Sequence, residues 1–377
     1  MPRGFCLVAL AAACAPPDDL GPQVVTVFAR DADGDYVLTD RLLATLESAR
    51  HIRGGATRLR GGGSLVLEQA VFSDDVNART EEELAEVDLI RDDARVEADY
   101  VREGDVLVPL DWETLLMFSF YHHMERGQTF LRALGVADSA LPSLRAYFHV
   151  RFTSLLLWGL PLVTDNAGYT SIADAFLIFP QAVHGNGVPL ATNEGVVVHE
   201  LWHATKHHLV HGNRLLPRYL SEEWPNAAAN SYRADDEGLA DFLAAAYTGD
   251  PDFITVSVSE VSLDRDLRET RNFTPAMHAA LTESITTYNP YPLGSALAAW
   301  LWAVGGGDQA AREAVAGAAV QAMVEVAPVY DSNYAVTVLI DAIVQRLEVT
   351  LAARACALLD ARLTGAFRDV PACGISP

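Results

Sequence analysis

The feature of this sequence that most constrains its fold is a helix with two histidines on one face. Apolar residues recur at helical spacing from Asn193 to His211, Asn193 is a suitable N-cap, and Gly212 follows the last turn. Residues 199–203 read His-Glu-Leu-Trp-His, an H-E-x-x-H motif. The i, i+4 spacing lets both imidazoles converge on one zinc ion, with Glu200 beside them to handle a proton.

A catalytic zinc site needs three protein ligands and an open position, so His199 and His203 require a third ligand. A metzincin would have Gly at position 206 and His at position 209. This sequence has Lys206 and Leu209 there. The metzincin class is therefore excluded.

A second acidic helix follows, in which Asp235–Phe242 places Glu237 and Asp241 one turn apart on one face. With the H-E-x-x-H motif, this segment resembles the gluzincin metallopeptidases, the thermolysin and fungalysin group. The resemblance implies that Glu237 is the third zinc ligand and that Asp241 accepts a hydrogen bond from a ligand histidine. The residues alone leave alternatives, namely a solvated acidic helix start or a different third ligand: Glu222, Glu223 or Asp236.

Two shorter matches extend the resemblance to roughly residues 111–302. The stretch Asp165–Tyr169, ahead of the strand-like Ala175–Phe179, is similar to the family's edge strand, which pairs with an extended substrate backbone. It implies that Asn166 and Ala167 contact substrate. An ordinary hairpin turn is the alternative interpretation.

The second match is Tyr291-Pro292-Leu293-Gly294, which leads into a helix. It is similar to the family helix whose leading histidine, three residues before a glycine, stabilises the oxyanion. This sequence has Tyr291 in that position, and a phenol can donate the same hydrogen bond. Tyr288 is an alternative donor, and a packed turn tyrosine is the structural alternative.

The N-terminus predicts an exported lipoprotein. Residues 1–13 combine a charged start, a short apolar run and small residues before Cys14, which resembles a bacterial lipobox with Cys14 lipidated. An ordinary signal peptide, and hence a secreted protein, is the alternative to a lipid-anchored one on the periplasmic or outer face of the bacterial cell envelope. Residues 14–22 predict a tether. In an oxidising compartment Cys356 and Cys373 are expected to form a disulfide, the alternative being two free thiols.

The order of patterns along the chain predicts an α+β fold. Residues 23–110 form a β-rich region, residues 111–275 the catalytic lobe, and residues 276–377 a helical C-terminal lobe. Within the catalytic lobe a helix begins after an N-cap at Asp111. The resemblance implies a thermolysin-like arrangement of two lobes, with zinc in the cleft between an α+β lobe and a mostly helical one.

Charge and composition exclude several partners and sites. Asp and Glu number 50 against 27 Lys and Arg, and the net charge of −23 excludes nucleic acid or an anionic membrane surface as the main partner. Residues 31–35 read as a turn because no EF-hand spacing follows. A calcium cofactor stays open as an alternative, although no ligand set for it is recognisable. His122 and His123 are predicted on a polar helix face. His207 and His211 extend the face of the zinc histidines but are interpreted as helix-terminal side chains.

The function that these motifs predict is hydrolysis of peptide bonds by a membrane-tethered zinc metalloendopeptidase with one zinc per chain. Its partners would be a peptide or protein substrate and, through the N-terminal lipid alone, the membrane. The alternative is a catalytically inactive lipoprotein that uses the same cleft for binding or assembly. An aminopeptidase is disfavoured because the sequence contains no G-x-M-E-N stretch.

Overall fold

The computed structural model describes the greater part of the chain after the predicted signal. The described ranges are 18–67, 90–141, 143–154, 166–171, 173–180, 187–212, 226–258, 265–274, 277, 290–331, 333–364 and 368–375. Five residues singled out from the sequence lie outside them: Cys14, Asp165, Glu222, Glu223 and Tyr288.

The described chain is a mixed α+β structure with open sheets, as the sequence predicts. A four-stranded sheet has the order β2-β1-β8-β7. Its strands are β1 (Gln23–Arg30), β2 (Tyr36–Leu43), β7 (Tyr100–Glu103) and β8 (Val106–Pro109). Strands β1 and β8 are parallel and the other neighbours are antiparallel. Along β1 buried positions alternate with partly exposed ones, so this sheet packs one face against the core.

A second sheet of eight strands has the order β11-β12-β9-β5-β4-β3, with β6 and β10 also paired to β5. The strands are β3 (Leu46–Ser48), β4 (Arg53–Gly54), β5 (Thr57–Leu67), β6 (Ile90–Arg95), β9 (Leu144–Phe148), β10 (Arg151–Ser154), β11 (Ala167–Thr170) and β12 (Ala175–Ile178). β9 runs parallel to β5 and β12, whereas β11 is antiparallel to β12. β11 therefore ends the sheet, with one side unpaired among the described strands.

Seven α-helices are described, most of them after the last strand. They are α1 (Trp112–Ala133), α2 (Glu194–His211), α3 (Asn226–Thr248), α4 (Tyr291–Gly305), α5 (Gln309–Val326), α6 (Val336–Arg346) and α7 (Val349–Arg362). Buried apolar residues from Val25 to Ile375 form one continuous cluster that joins the sheets to the helices. No described helix combines the length and the apolar character that a membrane crossing requires.

Helix α1 begins as predicted, because the Asp111 side chain accepts a hydrogen bond from the Thr114 amide. One prediction for this helix is wrong. His122 and His123 are 4% and 0% exposed, so they do not form a polar face. Burial lowers the pKa of His122 to about 2 and that of His123 to about 4, which keeps both imidazoles neutral inside the core.

The C-terminal tail is fastened to the helical part by a disulfide between Cys356 on α7 and Cys373. The Ala372 amide donates to the Asp341 carboxylate of α6, and a β-bridge pairs Val370 with Ile375. Closing a loop of 17 residues stabilises the folded state by about 3 kcal/mol in the chain-entropy account.

Candidate metal centre and cleft

Helix α2 holds its two motif histidines rigidly because its ends and its back are fixed. The Asn193 side chain caps the helix by accepting from the Gly195 and Val196 amides, and it donates to the Phe253 carbonyl. Gly212 ends the helix in the left-handed conformation at φ 60°. The face away from the cleft is buried, including Trp202 at 0% exposure.

Helix α3 packs against α2 and brings Glu237 to the same cleft. Its approach to α4 depends on two glycines, since a Cβ on Gly238 would lie 2.6 Å from the Gly294 carbonyl oxygen. The glycine of the Tyr291–Gly294 stretch is thus explained by helix packing beside Glu237. Any side chain at Gly238 would displace α4 and, with it, Tyr291.

Three side-chain atoms converge at the centre of the cleft. The Nε2 atoms of His199 and His203 are 3.2 Å apart, and the Glu237 Oε2 atom lies 3.6 Å from the first and 3.8 Å from the second. Tetrahedral ligands at zinc distances lie about 3.3–3.6 Å from one another. The triangle therefore has the dimensions of three ligands around one zinc ion.

The outer nitrogen of each imidazole faces a carboxylate. His199 Nδ1 lies 3.0 Å from Asp241 Oδ1, and His203 Nδ1 lies 3.0 Å from Asp236 Oδ1. A proton held on Nδ1 leaves the Nε2 lone pair free for a metal. Asp236, which the sequence left open as a third ligand, thus faces the back of His203, while Glu237 Oε2 lies on the side of the two Nε2 atoms.

The electrostatics of this centre favour a bound cation. Burial by itself disfavours a charged imidazole, but Asp236 and Glu237 outweigh it and raise the pKa of His203 to about 10. Burial would likewise raise the pKa of Glu237, yet the two histidines lower it. Glu237 Oε2 is buried and has no hydrogen-bond donor within the described part of the chain. Such an atom, facing two imidazole nitrogens, fits a metal ligand.

Glu200 lies beside the triangle and is held by strand β11. Its Oε2 atom accepts a hydrogen bond of 2.8 Å from the Tyr169 backbone amide, and its Oε1 atom is 4.0 Å from His199 Nε2. The carboxylate is 13% exposed, at the cleft surface. The amide of Tyr169 that orients Glu200 was not identified from the sequence, because a backbone donor leaves no mark in residue type.

The triangle opens into a cleft of about 710 Å³ that β11 borders. Asn166 and Ala167 both line it, and the Asn166 Oδ1 atom accepts from the Ala167 amide at 2.9 Å. The segment is at once the first strand of a hairpin with β12 and the end strand of its sheet. The hairpin and the edge strand, which the sequence offered as alternatives for this stretch, are therefore compatible.

Tyr291 lines the cleft as the first residue of α4 and is 41% exposed. The guanidinium of Arg265 lies over its ring, 4.7 Å from the centroid. Arg265 also lies 3.4 Å from Asp241 and 3.9 Å from Glu237. Arg265 was not identified from the sequence, because it stands in a segment without periodicity and only the fold brings it to the centre.

The second half of α2 carries another cluster. His208 Nε2 lies 2.9 Å from Asp174 Oδ1, the Tyr169 hydroxyl donates to the same oxygen at 2.9 Å, and that hydroxyl lies 2.6 Å from His207 Nδ1. Asp174, His207 and His208 offer ligand atoms within 4.8 Å of one another. Here, however, the acceptors already have donors, in contrast to Glu237.

Lys206 is 1% exposed beneath the centre. Its ammonium lies 3.7 Å from Asp236 and 4.1 Å from the ring centroid of Tyr232. It also donates to the Tyr232 carbonyl. Burial lowers the pKa of Lys206, whereas Asp236 acts in the opposite direction. Lys206, at the position where a metzincin has glycine, therefore neutralises Asp236, the carboxylate that faces His203.

The chain matches no protein-family model and no curated protein sequence.

Proposed function

We propose that this protein is a zinc-dependent metallopeptidase of the gluzincin type, with a thermolysin-like arrangement of two lobes. The observation that carries the proposal is the triangle of His199 Nε2, His203 Nε2 and Glu237 Oε2. These atoms would hold one zinc ion. Bound there, zinc would act as a Lewis acid and lower the pKa of a water molecule towards neutrality.

Glu200 is the general base in this proposal. The Tyr169 amide fixes its carboxylate beside the metal ligands, where it can take the proton of the attacking water and pass it to the leaving amine. The carboxylate is largely shielded from solvent, which limits competition from bulk water for its lone pairs.

Tyr291 is the proposed donor to the oxyanion. The negative charge of Glu237 raises the pKa of its phenol well above the usual value, so the hydroxyl keeps its proton at neutral pH. A protonated phenol can donate a hydrogen bond to the developing charge. The side of β11 that faces away from β12 is unpaired among the described strands. It is the proposed docking edge for an extended substrate, with Asn166 and Ala167 in contact.

The site of action that we propose is the bacterial cell envelope. This part of the proposal depends on the N-terminal sequence, with Cys14 as the lipid attachment point. The tether would be shorter than residues 14–22, because residues 18–21 are hydrogen-bonded to the segment around Ser48. Lipid would hold the catalytic part at a membrane face. If the lipobox is not used, the protein would be secreted.

The test compares residues 15–377 of the wild type with Glu200→Gln and with Glu313→Gln, a control on α5 outside the cleft. We expect about one zinc per chain in all three proteins. Cleavage of a peptide library should fall at least 100-fold in Glu200→Gln alone, because the base is lost and the metal ligands are kept. Metal content is read by elemental analysis and cleavage by mass spectrometry.

Each outcome of that test has a separate meaning. Equal cleavage by wild type and Glu200→Gln would contradict the role of Glu200. Zinc in every protein without cleavage in any would favour the alternative function, a binding or assembly module. Absence of zinc would contradict the assignment of the ligands.

A further inference from the structure

The second half of α2 is joined to the hairpin of β11 and β12 by polar side chains that the proposed reaction does not use. These side chains, here named the polar clamp, are Tyr169, Asp174, His207 and His208. Asp174 lies in the turn between the two strands, where its amide donates to the Ser171 carbonyl. Its backbone has a left-handed φ of 45°, which a non-glycine residue adopts where its surroundings hold it in place.

The hydrogen bonds of the polar clamp form one directed chain. An ionised carboxylate only accepts, so Asp174 Oδ1 receives a proton from His208 Nε2 and one from the Tyr169 hydroxyl, each at 2.9 Å. The hydroxyl has then used its single proton, so His207 Nδ1, 2.6 Å away, is the donor to the Tyr169 oxygen. Burial alone would raise the pKa of Asp174, but the hydrogen bonds from His208 and Tyr169 lower it.

Tyr169 connects β11 to two separate points of α2. Its backbone amide donates to Glu200 Oε2 at 2.8 Å, and its hydroxyl meets His207. Glu200 and His207 are seven positions apart, so they share a face of the helix and are separated by about 10 Å along its axis. The ring of Tyr169 bridges this interval, and its centroid lies 5.9 Å from that of His207.

The polar clamp is shielded from water where it meets the helix. His207 is 3% exposed, and the side chain of His208 is 9% exposed. Hydrogen bonds are stronger in such surroundings than at an exposed surface. A movement of β11 along α2 would break these bonds and would also displace the Tyr169 amide from Glu200. The two ends of Tyr169 are therefore coupled through the strand.

We propose that the polar clamp is a positioning device for Glu200. By holding the Tyr169 ring against α2 it fixes the Tyr169 amide, and this amide orients the Glu200 carboxylate beside the metal ligands. The side chains of Asp174, His207 and His208 act through the strand and not on the substrate. The effect on catalysis rests on the proposed function, in which Glu200 is the base, whereas the position of the Tyr169 amide can be measured without substrate.

The test measures hydrogen–deuterium exchange at single amides of residues 15–377 by mass spectrometry, with zinc present. The Phe179 amide, which donates to the Asn166 carbonyl, reports opening of the hairpin itself. Tyr169→Phe and Asp174→Ala each break the polar clamp. In both variants we expect exchange at position 169 to become about tenfold faster relative to position 179, because the hydrogen bond to Glu200 opens more often.

Two further variants serve as controls. In Asp174→Asn the side-chain oxygen can still accept from the Tyr169 hydroxyl and from His208, so exchange should stay close to that of the wild type. Tyr247→Phe is the matched loss of a hydroxyl, because it removes a buried phenol oxygen on α3 that does not line the cleft. It should leave exchange at position 169 unchanged.

The same variants are then assayed for peptide cleavage, with zinc content determined alongside. We expect kcat to fall about tenfold in Tyr169→Phe and in Asp174→Ala, because a small displacement of a catalytic group is costly. Zinc per chain should equal that of the wild type in both. Asp174→Asn should restore most of the lost kcat, which a role confined to the charge of Asp174 would not allow.

Wild-type exchange at position 169 in both Tyr169→Phe and Asp174→Ala would overturn the proposal. Equal acceleration at positions 169 and 179 would also overturn it, because the cluster would then stabilise only the hairpin. Faster exchange at position 169 with unchanged kcat would contradict the link to Glu200. If the wild type cleaves no peptide but exchange responds as expected, the polar clamp is supported and the proposed peptidase activity is contradicted, so the two failures are distinguishable.

Discussion

Helix α2 presents two pairs of histidines with the same spacing and different surroundings. The first pair, His199 and His203, faces Glu237, and Nδ1 of each ring lies 3.0 Å from a further carboxylate. The second pair, His207 and His211, meets phenols instead: the Tyr169 hydroxyl lies 2.6 Å from His207 Nδ1, and the Tyr232 hydroxyl lies 2.6 Å from His211 Nε2.

The two pairs differ in the charge that their surroundings favour. Carboxylates overcome burial and raise the pKa of His203 to about 10. At His211, burial and the nearby Lys206 lower the pKa to about 4. Spacing along a helix therefore decides only which side chains share a face, while the neighbouring helix or strand decides whether that face attracts a cation.

The largest expected effect comes from removing the carboxylate that distinguishes the first pair. Glu237→Ala should lower zinc affinity by more than about 100-fold, because it deletes a ligand and not an outer partner. The dissociation constant is measured by competition with a chelator.

His207→Ala is the control, and we expect zinc binding to match the wild type. If the wild type binds two zinc ions per chain and His207→Ala binds one, the second pair also binds metal, and the two pairs do not differ in this respect. A Glu237→Ala protein that keeps full zinc affinity would show that another group supplies the third ligand.

A smaller effect is expected from the carboxylates behind the rings. Asp241→Asn and Asp236→Asn keep the size of each side chain and remove its charge, so the imidazoles lose basicity while keeping their positions. Zinc affinity should fall about 10- to 100-fold in each. Asp174→Asn, which alters the cluster around His208, should leave zinc affinity unchanged. If zinc affinity falls as much in Asp174→Asn as in Asp241→Asn, the cluster around His208 and the triangle at His199 are coupled.

The sequence predicted the parts of this site that depend on periodicity. The bounds of α2, its Asn193 cap and the shared face of Glu237 and Asp241 follow from residues a few positions apart, where helix geometry alone sets the distances. The α+β class is confirmed for the same reason, since strand and helix patterns are local.

The parts that failed or were missed depend on contacts distant in sequence. His122 and His123 were interpreted as a polar face, but the sheet containing Phe28 covers them, and His123 Nε2 lies 3.2 Å from the Phe28 carbonyl oxygen. Arg265 and the Tyr169 amide approach the centre from a loop and a strand. No pattern within a single segment contains that information.

The smallest effect tests the neutral state of the second pair through pH. The folded-state pKa of His211 lies below the unfolded value of about 6.5, so the unfolded chain binds more protons between pH 6.5 and 4. Stability from this group is therefore present above pH 6.5 and lost as the pH falls towards 4. Because His211 is partly exposed, we expect a change on the order of 1 kcal/mol.

His211→Gln should reduce that loss, since glutamine can hydrogen bond to Tyr232 and does not titrate. The free energy of unfolding is measured by urea denaturation at pH 7, 5.5 and 4.5, with the zinc ligands intact in both proteins. If the free energy of unfolding falls by about 1 kcal/mol more in the wild type than in His211→Gln, the surroundings of His211 favour the neutral imidazole, in contrast to those of His203. Parallel curves would mean that His211 has the same pKa in the folded and the unfolded chain, so that its surroundings do not favour the neutral imidazole.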